Sequence, residues 1–256
     1  MWKYYLSVLV FLLFFGANGA FAWEVPTITS EVSNGEACSS AIGEGGNVIT
    51  GGLSLKGKCE GGGYPVYIDK SGAIPAFVFD LKSFSFQHNR SELAVVNYNF
   101  LFNKTYAISF EINVPKESQI TNTWFYMMQF WQGGGRPPIF GLRMNRGESH
   151  YASIMARGSG DRGGTSISTV YLEPDRWIKI AIEFNITPVG QGCVSVKTSP
   201  SEIAHWCGKV GYNIDDNVKK WYRMKFGIYK GGEPGRQFVV KYRNIRSSNS
   251  IDELWN

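Results

Sequence analysis

The chain has 256 residues and a formal charge of +5 at neutral pH, with aromatic residues at 15% and 30 glycines. The charge is a mild excess that suits a polyanionic partner as well as an ordinary exported domain, and it gives no ground for expecting nucleic acid. No repeat or low-complexity tract interrupts the chain.

The N-terminus, MWKYYLSVLVFLLFFGANGAFA, carries one lysine, an apolar run over residues 6–15 and a small-residue end at Ala20-Phe21-Ala22, the order of a secretory signal peptide. The run is short for a bilayer span, and no other segment approaches the required length. Cleavage after Ala22 is therefore expected, giving a secreted, extracellular protein without a membrane anchor. The leader holds Lys3 and no acid, so its loss lowers the charge from +5 to +4.

Short alternating or wholly apolar runs follow in chain order: AFVFDLKSFSF, KTYAISFEINV, TWFYMMQFW, IFGLRMNR, SISTVYLE, RWIKIAIEFNI, GCVSVKTS, YRMKFGIYK and QFVVKYRNIR. Turn clusters such as GEGG, GGG, GGGRPP, RGSGDRGG and GGEPG punctuate the chain. Helical periodicity is brief, over residues 214–220 and 250–254. Nine or more strands without a composition break predict a single all-β domain over residues 23–256, a concanavalin-like β-jelly roll sandwich, expected to be monomeric.

Four cysteines in an exported chain point to disulfides. Of the three connectivities, Cys38 with Cys59 and Cys193 with Cys207 is the simplest, because each pair closes a short loop. Neither the cysteine nor the histidine spacing resembles a zinc site. Sequons begin at Asn89, Asn103 and Asn185 and would be glycan acceptors in a eukaryotic host; the first sits inside QHNRSEL, where a glycan would obstruct any site, and is read as chance.

Three segments place polar residues on one strand face, because side chains alternate with a period of two. QHNRSEL aligns His88, Arg90 and Glu92; MMQFWQ aligns Gln129 and Trp131; RMKFGIYKGG aligns Arg223, Lys225, Gly227 and Tyr229. Unpaired charges are costly on the inner face of a sandwich, so these faces are expected to line a wet, concave sheet.

In order and separation, Arg90-Ser91-Glu92-Leu93, Gln129-Phe130-Trp131 and Lys225-Phe226-Gly227-Ile228-Tyr229 resemble the three signature strands of the jelly-roll polysaccharide lyases. RWIKIAIEF before GCVSV, and the closing VVKYRNIR, resemble the same family's frame. Alginate lyases of this shape usually carry Gln-x-His on the second strand, and here Trp131 stands in the histidine's place. His88, just upstream of the first motif, makes the arrangement more similar to glucuronan lyases and to the heparin lyase I group, which pair a histidine with the late-strand tyrosine. The resemblance implies a secreted enzyme that cleaves an anionic, uronic-acid-containing polysaccharide by β-elimination.

That chemistry explains the residue types. Removing the C5 proton of a uronate requires its carboxylate to be neutralised, a task for Gln129 with Arg90 by the logic of an oxyanion hole. His88 is the expected base and Tyr229 the expected acid, or Tyr229 performs both steps and His88 assists. Lys225 and Lys230 are cations expected beside Tyr229; Glu92 is expected on the substrate-facing floor, and Trp131 as a platform for a sugar ring. Arg136, Arg143 and Arg146 are candidate carboxylate binders, since guanidinium offers bidentate geometry. His150 is read as a loop residue and His205 as structural. The proton transfers need no cofactor, and a structural calcium ion is left open. The alternatives are a non-catalytic carbohydrate-binding protein and a glycoside hydrolase. The hydrolase needs two facing carboxylates, and no E-x-D-x-E strand of the sandwich hydrolases is present.

Overall fold

The computed structural model describes residues 47–50, 53–58, 66–81, 90–95, 99–118, 125–144, 150–161, 163–199, 202–230 and 237–255. Cys38, Cys59, His88, Asn89 and Arg146 lie outside the described residues, as does the expected leader.

Two antiparallel sheets form the molecule among these residues. The first runs in the order β1 (Asn47–Thr50), β2 (Leu53–Lys58), β5 (Arg90–Val95), β15 (Trp221–Lys230), β8 (Phe125–Trp131), β9 (Phe140–Met144), β10 (Tyr151–Ala156) and β11 (Thr165–Tyr171), and β6 (Phe100–Leu101) pairs with β15. The second runs β14 (Glu202–Lys209), β13 (Gln191–Thr198), β12 (Ile178–Ile186), β7 (Thr105–Asn113), β16 (Phe238–Ser248), β4 (Ala76–Leu81) and β3 (Val66–Asp69). This is the expected jelly-roll sandwich, with strands distant in sequence made neighbours. The middle of the first sheet, β5-β15-β8, joins the three motif segments.

Each expected apolar run contains a strand, but the sequence reading did not name six more: β1, β2, β3, β6, β10 and β14. The last reads EIAHWCGK, and its polar residues and glycine hide an edge strand whose partner is β13. The helical signal at 214–220 shrinks to a 3-10 turn, Ile214–Asp216. Its start is capped by the Asn213 side chain, which accepts from Asp215 N, and it stops at Asn217 in the left-handed region. The C-terminal signal becomes a short helix, α1 (Ile251–Trp255).

The core between the sheets is aromatic. Phe130 of the first sheet meets Phe184 of the second with ring centroids 4.8 Å apart, and Phe100 lies 5.3 Å from Phe130 and stacks on Tyr222. Burial of each such ring contributes roughly 1.5–3 kcal/mol. Tyr242 adds a polar tie between the layers: its hydroxyl, buried on β16, donates to the Met127 carbonyl on β8 at 2.6 Å. Burial pushes this hydroxyl well above the ordinary tyrosine range, so it remains a protonated donor.

Met127 sits where the register of β8 against β9 shifts, between Tyr126 and Met128. The tie therefore supports the irregularity beside Tyr126. Tyr242→Phe keeps the ring but orphans that carbonyl, and is expected to lower stability by about 1–3 kcal/mol, read as a lower unfolding midpoint. An unchanged midpoint would mean that the bond does not hold the layers.

Candidate active site

On the outer side of the first sheet lies a cleft of about 590 Å³, lined by Arg90, Tyr126, Gln129, Trp131, Gly135, Arg136, Pro137, Pro138, Arg143, Arg157, Gly163, Lys225 and Tyr229. The register explains how these meet. Tyr229 stands between Arg90 on β5 and Tyr126 on β8, Lys225 lies opposite Gln129, and Tyr126 lies opposite Arg143 on β9. Alternation alone would put Tyr126 on the opposite face from Gln129 and Trp131, since its position differs in parity. The register shift after Tyr126 reverses this and turns its side chain to the cleft, as bulges do.

A second irregularity falls between Phe226 and Tyr229, at Gly227, whose φ is +118°. A Cβ at Gly227 would collide with the Ser91 carbonyl oxygen and come within 2.7 Å of the Phe79 ring. Gly227 therefore belongs to a close backbone approach and not, as alternation implied, to the polar row of Lys225 and Tyr229.

Glu92 also departs from expectation. It is 2% exposed and does not line the cleft. Its carboxylate lies beneath the surface, accepting from Gln129 Nε2 and facing Lys225 Nζ at 3.7 Å. Burying a lone carboxylate is expensive, and these two partners make it tolerable. In return Glu92 fixes the Gln129 amide, whose nitrogen has a second N–H to offer. The Lys225 ammonium is drawn toward Glu92 and lies 5.4 Å from the Trp131 ring. The cation placed on Tyr229 is Arg90, whose guanidinium carbon lies 3.9 Å from the ring centroid. Lys230 ends β15, and its side chain lies outside the described residues.

The wall of the cleft is a braced loop. Trp131 Nε1 donates to the Arg136 carbonyl at 3.2 Å. Buried Gln132 accepts from Tyr212 N at 2.8 Å and donates to the carbonyls of Tyr212 and Lys219. The Tyr212 hydroxyl donates to the Pro137 carbonyl. At the far end, the Gly163 carbonyl accepts from both Arg143 and Arg157 at 3.4 Å, in a turn held by Asp161, which accepts from Gly163 N and Gly164 N.

Sequence reasoning misses Arg157 because it opens the turn cluster RGSGDRGG; the residue is 7% exposed and reaches the cleft. Tyr126 was missed because its parity concealed it. His150 and His205 are not in the cleft. Burial pulls His150 below the ordinary histidine range, although Asp175 opposes this. His205 stands on β14 beside the Cys193–Cys207 disulfide, which is formed as expected. Those three residues are the one group of close metal-ligating side chains among the described residues, and the disulfide occupies both sulfurs.

An antiparallel jelly roll with a cationic, tyrosine-bearing cleft on one sheet defines the class, and the comparisons agree with it. The polysaccharide lyase family model matches residues 50–248, so the chain belongs to the polysaccharide lyase family and is a polysaccharide lyase. No protein among the curated ones matches it in sequence. Among solved structures it is similar to the endo-β-1,4-glucuronan lyase of the fungus Trichoderma reesei, at 10% identity and a TM-score of 0.53, covering 73% of this chain and 92% of that one. It is similar to alginate lyase Aly36B, crystallised with an alginate trisaccharide, at 8% identity and a TM-score of 0.58, covering 89% and 96%. A marine alginate lyase from Aplysia kurodai matches at 11% identity and a TM-score of 0.51, covering 86% and 98%. At these identities the likeness is one of fold.

Glu92→Ala would leave Lys225 and Gln129 buried without their common partner. A loss of about 3–5 kcal/mol is expected, against a smaller loss for Glu92→Gln, which keeps an acceptor oxygen for Gln129. Denaturant unfolding of the two variants checks this.

Proposed function

We propose that the chain is an exported lyase that cleaves a uronic-acid polymer of the glucuronan, alginate or heparin-like kind by β-elimination within the cleft of the first sheet. The observation that carries the reading is the meeting of Gln129, Arg90 and Tyr229, from three strands distant in sequence, on one patch of the cleft. Gln129 and Arg90 are assigned to the substrate carboxylate. As the C5 proton leaves, its electron pair flows into that carboxylate, and these donors stabilise the resulting enediolate. The pair then returns to form the C4–C5 double bond as the C4–O bond breaks, and an acid protonates the departing oxygen.

Tyr229 is assigned to proton transfer, with its ring held by Arg90. The base assigned by the family resemblance, His88, lies outside the described residues. Tyr126, placed beside Tyr229 by the register of β15 on β8, offers a second hydroxyl at the same patch. The proton transfers need no cofactor. Trp131, Arg136, Arg143, Arg157 and Lys225 are assigned to binding the polymer along the cleft.

Hydrolysis is the weaker reading, because no carboxylate among the described residues lines the cleft and a glycosidase pair needs two. Export is supported by the leader pattern and is compatible with the Cys193–Cys207 disulfide. No helix among the described residues is long and apolar enough to cross a membrane.

Tyr229→Phe removes one hydroxyl and preserves the ring under Arg90. Turnover, followed by absorbance of the unsaturated product on a panel of glucuronan, alginate and heparin, is expected to fall about a hundredfold to ten-thousandfold, while substrate binding changes little. A folded variant that still forms unsaturated product at the parent rate would remove Tyr229 from the mechanism. Reducing ends without unsaturation would replace elimination with hydrolysis.

A further inference from the structure

The outer face of the second sheet plays no part in the cleft, yet it holds a cavity of about 220 Å³ lined by Ser109, Phe110, Glu111, Lys179, Asn244 and Arg246. Its shape follows from strand register. One row across β16, β7, β12 and β13 reads Arg246, Ser109, Ala181, Lys197, and the next reads Arg243, Glu111, Lys179. Ser109 and Ala181 are small and buried, so the first row dips between two cations. α1 packs over β7, β12 and β16 near it. There Lys179 Nζ donates to the Trp255 carbonyl at 2.7 Å, and Lys179 and Lys197 both lie within 5 Å of the Trp255 ring centroid.

The charge of the cavity is decided by Glu111. Its Oε2 accepts from Arg243 Nε at 2.7 Å and its Oε1 accepts from Asn244 Nδ2, so the one acid lining the cavity is engaged by groups at its rim. Lys179 and Arg246 line the remainder, and Lys197 stands nearby. Desolvation, followed by repulsion from Arg246, pulls Lys179 below the ordinary lysine range, while Glu111 opposes the shift. At the floor, the Ser109 hydroxyl is buried, 1% exposed as a residue, and makes no hydrogen bond. Buried hydroxyls are nearly always satisfied, so an acceptor entering the cavity would meet no competing partner at this one.

We propose that this cavity is a second carbohydrate site, which takes the carboxylate of one uronate unit between Lys179 and Arg246, with Ser109 donating to it from below. The volume equals about seven waters, enough for a single sugar unit and not for a run of them. The site would hold polymer on the sheet opposite the cleft. Its sugar identity rests on the substrate class proposed above, whereas its anion chemistry does not.

The test is calorimetric titration of a β-1,4-linked glucuronate oligosaccharide, sodium glucuronate and sodium sulfate into the full chain carrying Tyr229→Phe. Two independent oligosaccharide sites are expected, one of them also taking glucuronate. Arg246→Met and Ser109→Ala should each weaken that one by about tenfold or more and leave the other unchanged. In the chain with Tyr229 intact, neither substitution should alter turnover of a short oligosaccharide. Ser109→Ala should also raise the melting temperature without ligand, because it removes an unsatisfied hydroxyl. A single site, or a second site indifferent to Arg246→Met, overturns the proposal. Sulfate binding as tightly as glucuronate reduces it to an adventitious ion only. Absence of unsaturated product from the intact enzyme would defeat the lyase reading while leaving the glucuronate titration interpretable.

Discussion

The carboxylate of Glu92 is the constraint around which the cleft is arranged. It is buried in the middle of the first sheet, and a buried carboxylate persists only where the fold supplies partners. The fold supplies them from one side, Lys225 on the adjacent strand β15 and Gln129 on β8 beyond it. One charge thereby locks three strands in mutual register and orients the amide proposed to receive substrate. The arrangement also separates two kinds of cation. Lys225 lines the cleft while facing the buried Glu92, whereas Arg90, Arg136, Arg143 and Arg157 line it without that tie.

Local departures from regular sheet complete the site. The register shift in β8 brings Tyr126 to the cleft, and the Tyr242 hydroxyl braces it from the opposite layer through the Met127 carbonyl. Gly227 permits β15 to approach Ser91 so closely that no side chain fits, while Lys225 and Tyr229 remain directed outward. Core packing and site geometry are thus connected through named contacts. Tyr242, in the core, is thereby tied to the backbone next to Tyr126.

Much of this was legible in the sequence. Alternating runs and glycine-rich turns identified an all-β sandwich, the short neighbour pairing of Cys193 with Cys207 was found, and the three motif segments proved to lie on adjacent strands. What stayed hidden has physical causes. Period-two reasoning assumes an unbroken pleat, so it misassigned Gly227 and overlooked Tyr126, both at irregularities. It treated Glu92 as a wet residue because burial of a charge depends on partners from β8 and β15, which sequence separation conceals. Arg157 was hidden in a turn-forming cluster, and the cavity at Ser109 depends on the register of β16, β7 and β12, which no motif announces.

The central claim is that the cleft removes the C5 proton of a uronate and breaks the C4–O bond. A polyuronate deuterated at C5 tests this most directly. The account predicts that each new non-reducing end carries a C4–C5 double bond, that the label of that sugar is lost to solvent, and that turnover is slowed by the heavier isotope wherever proton removal limits the rate. Cleavage that retains the C5 deuterium in every product sugar would contradict it.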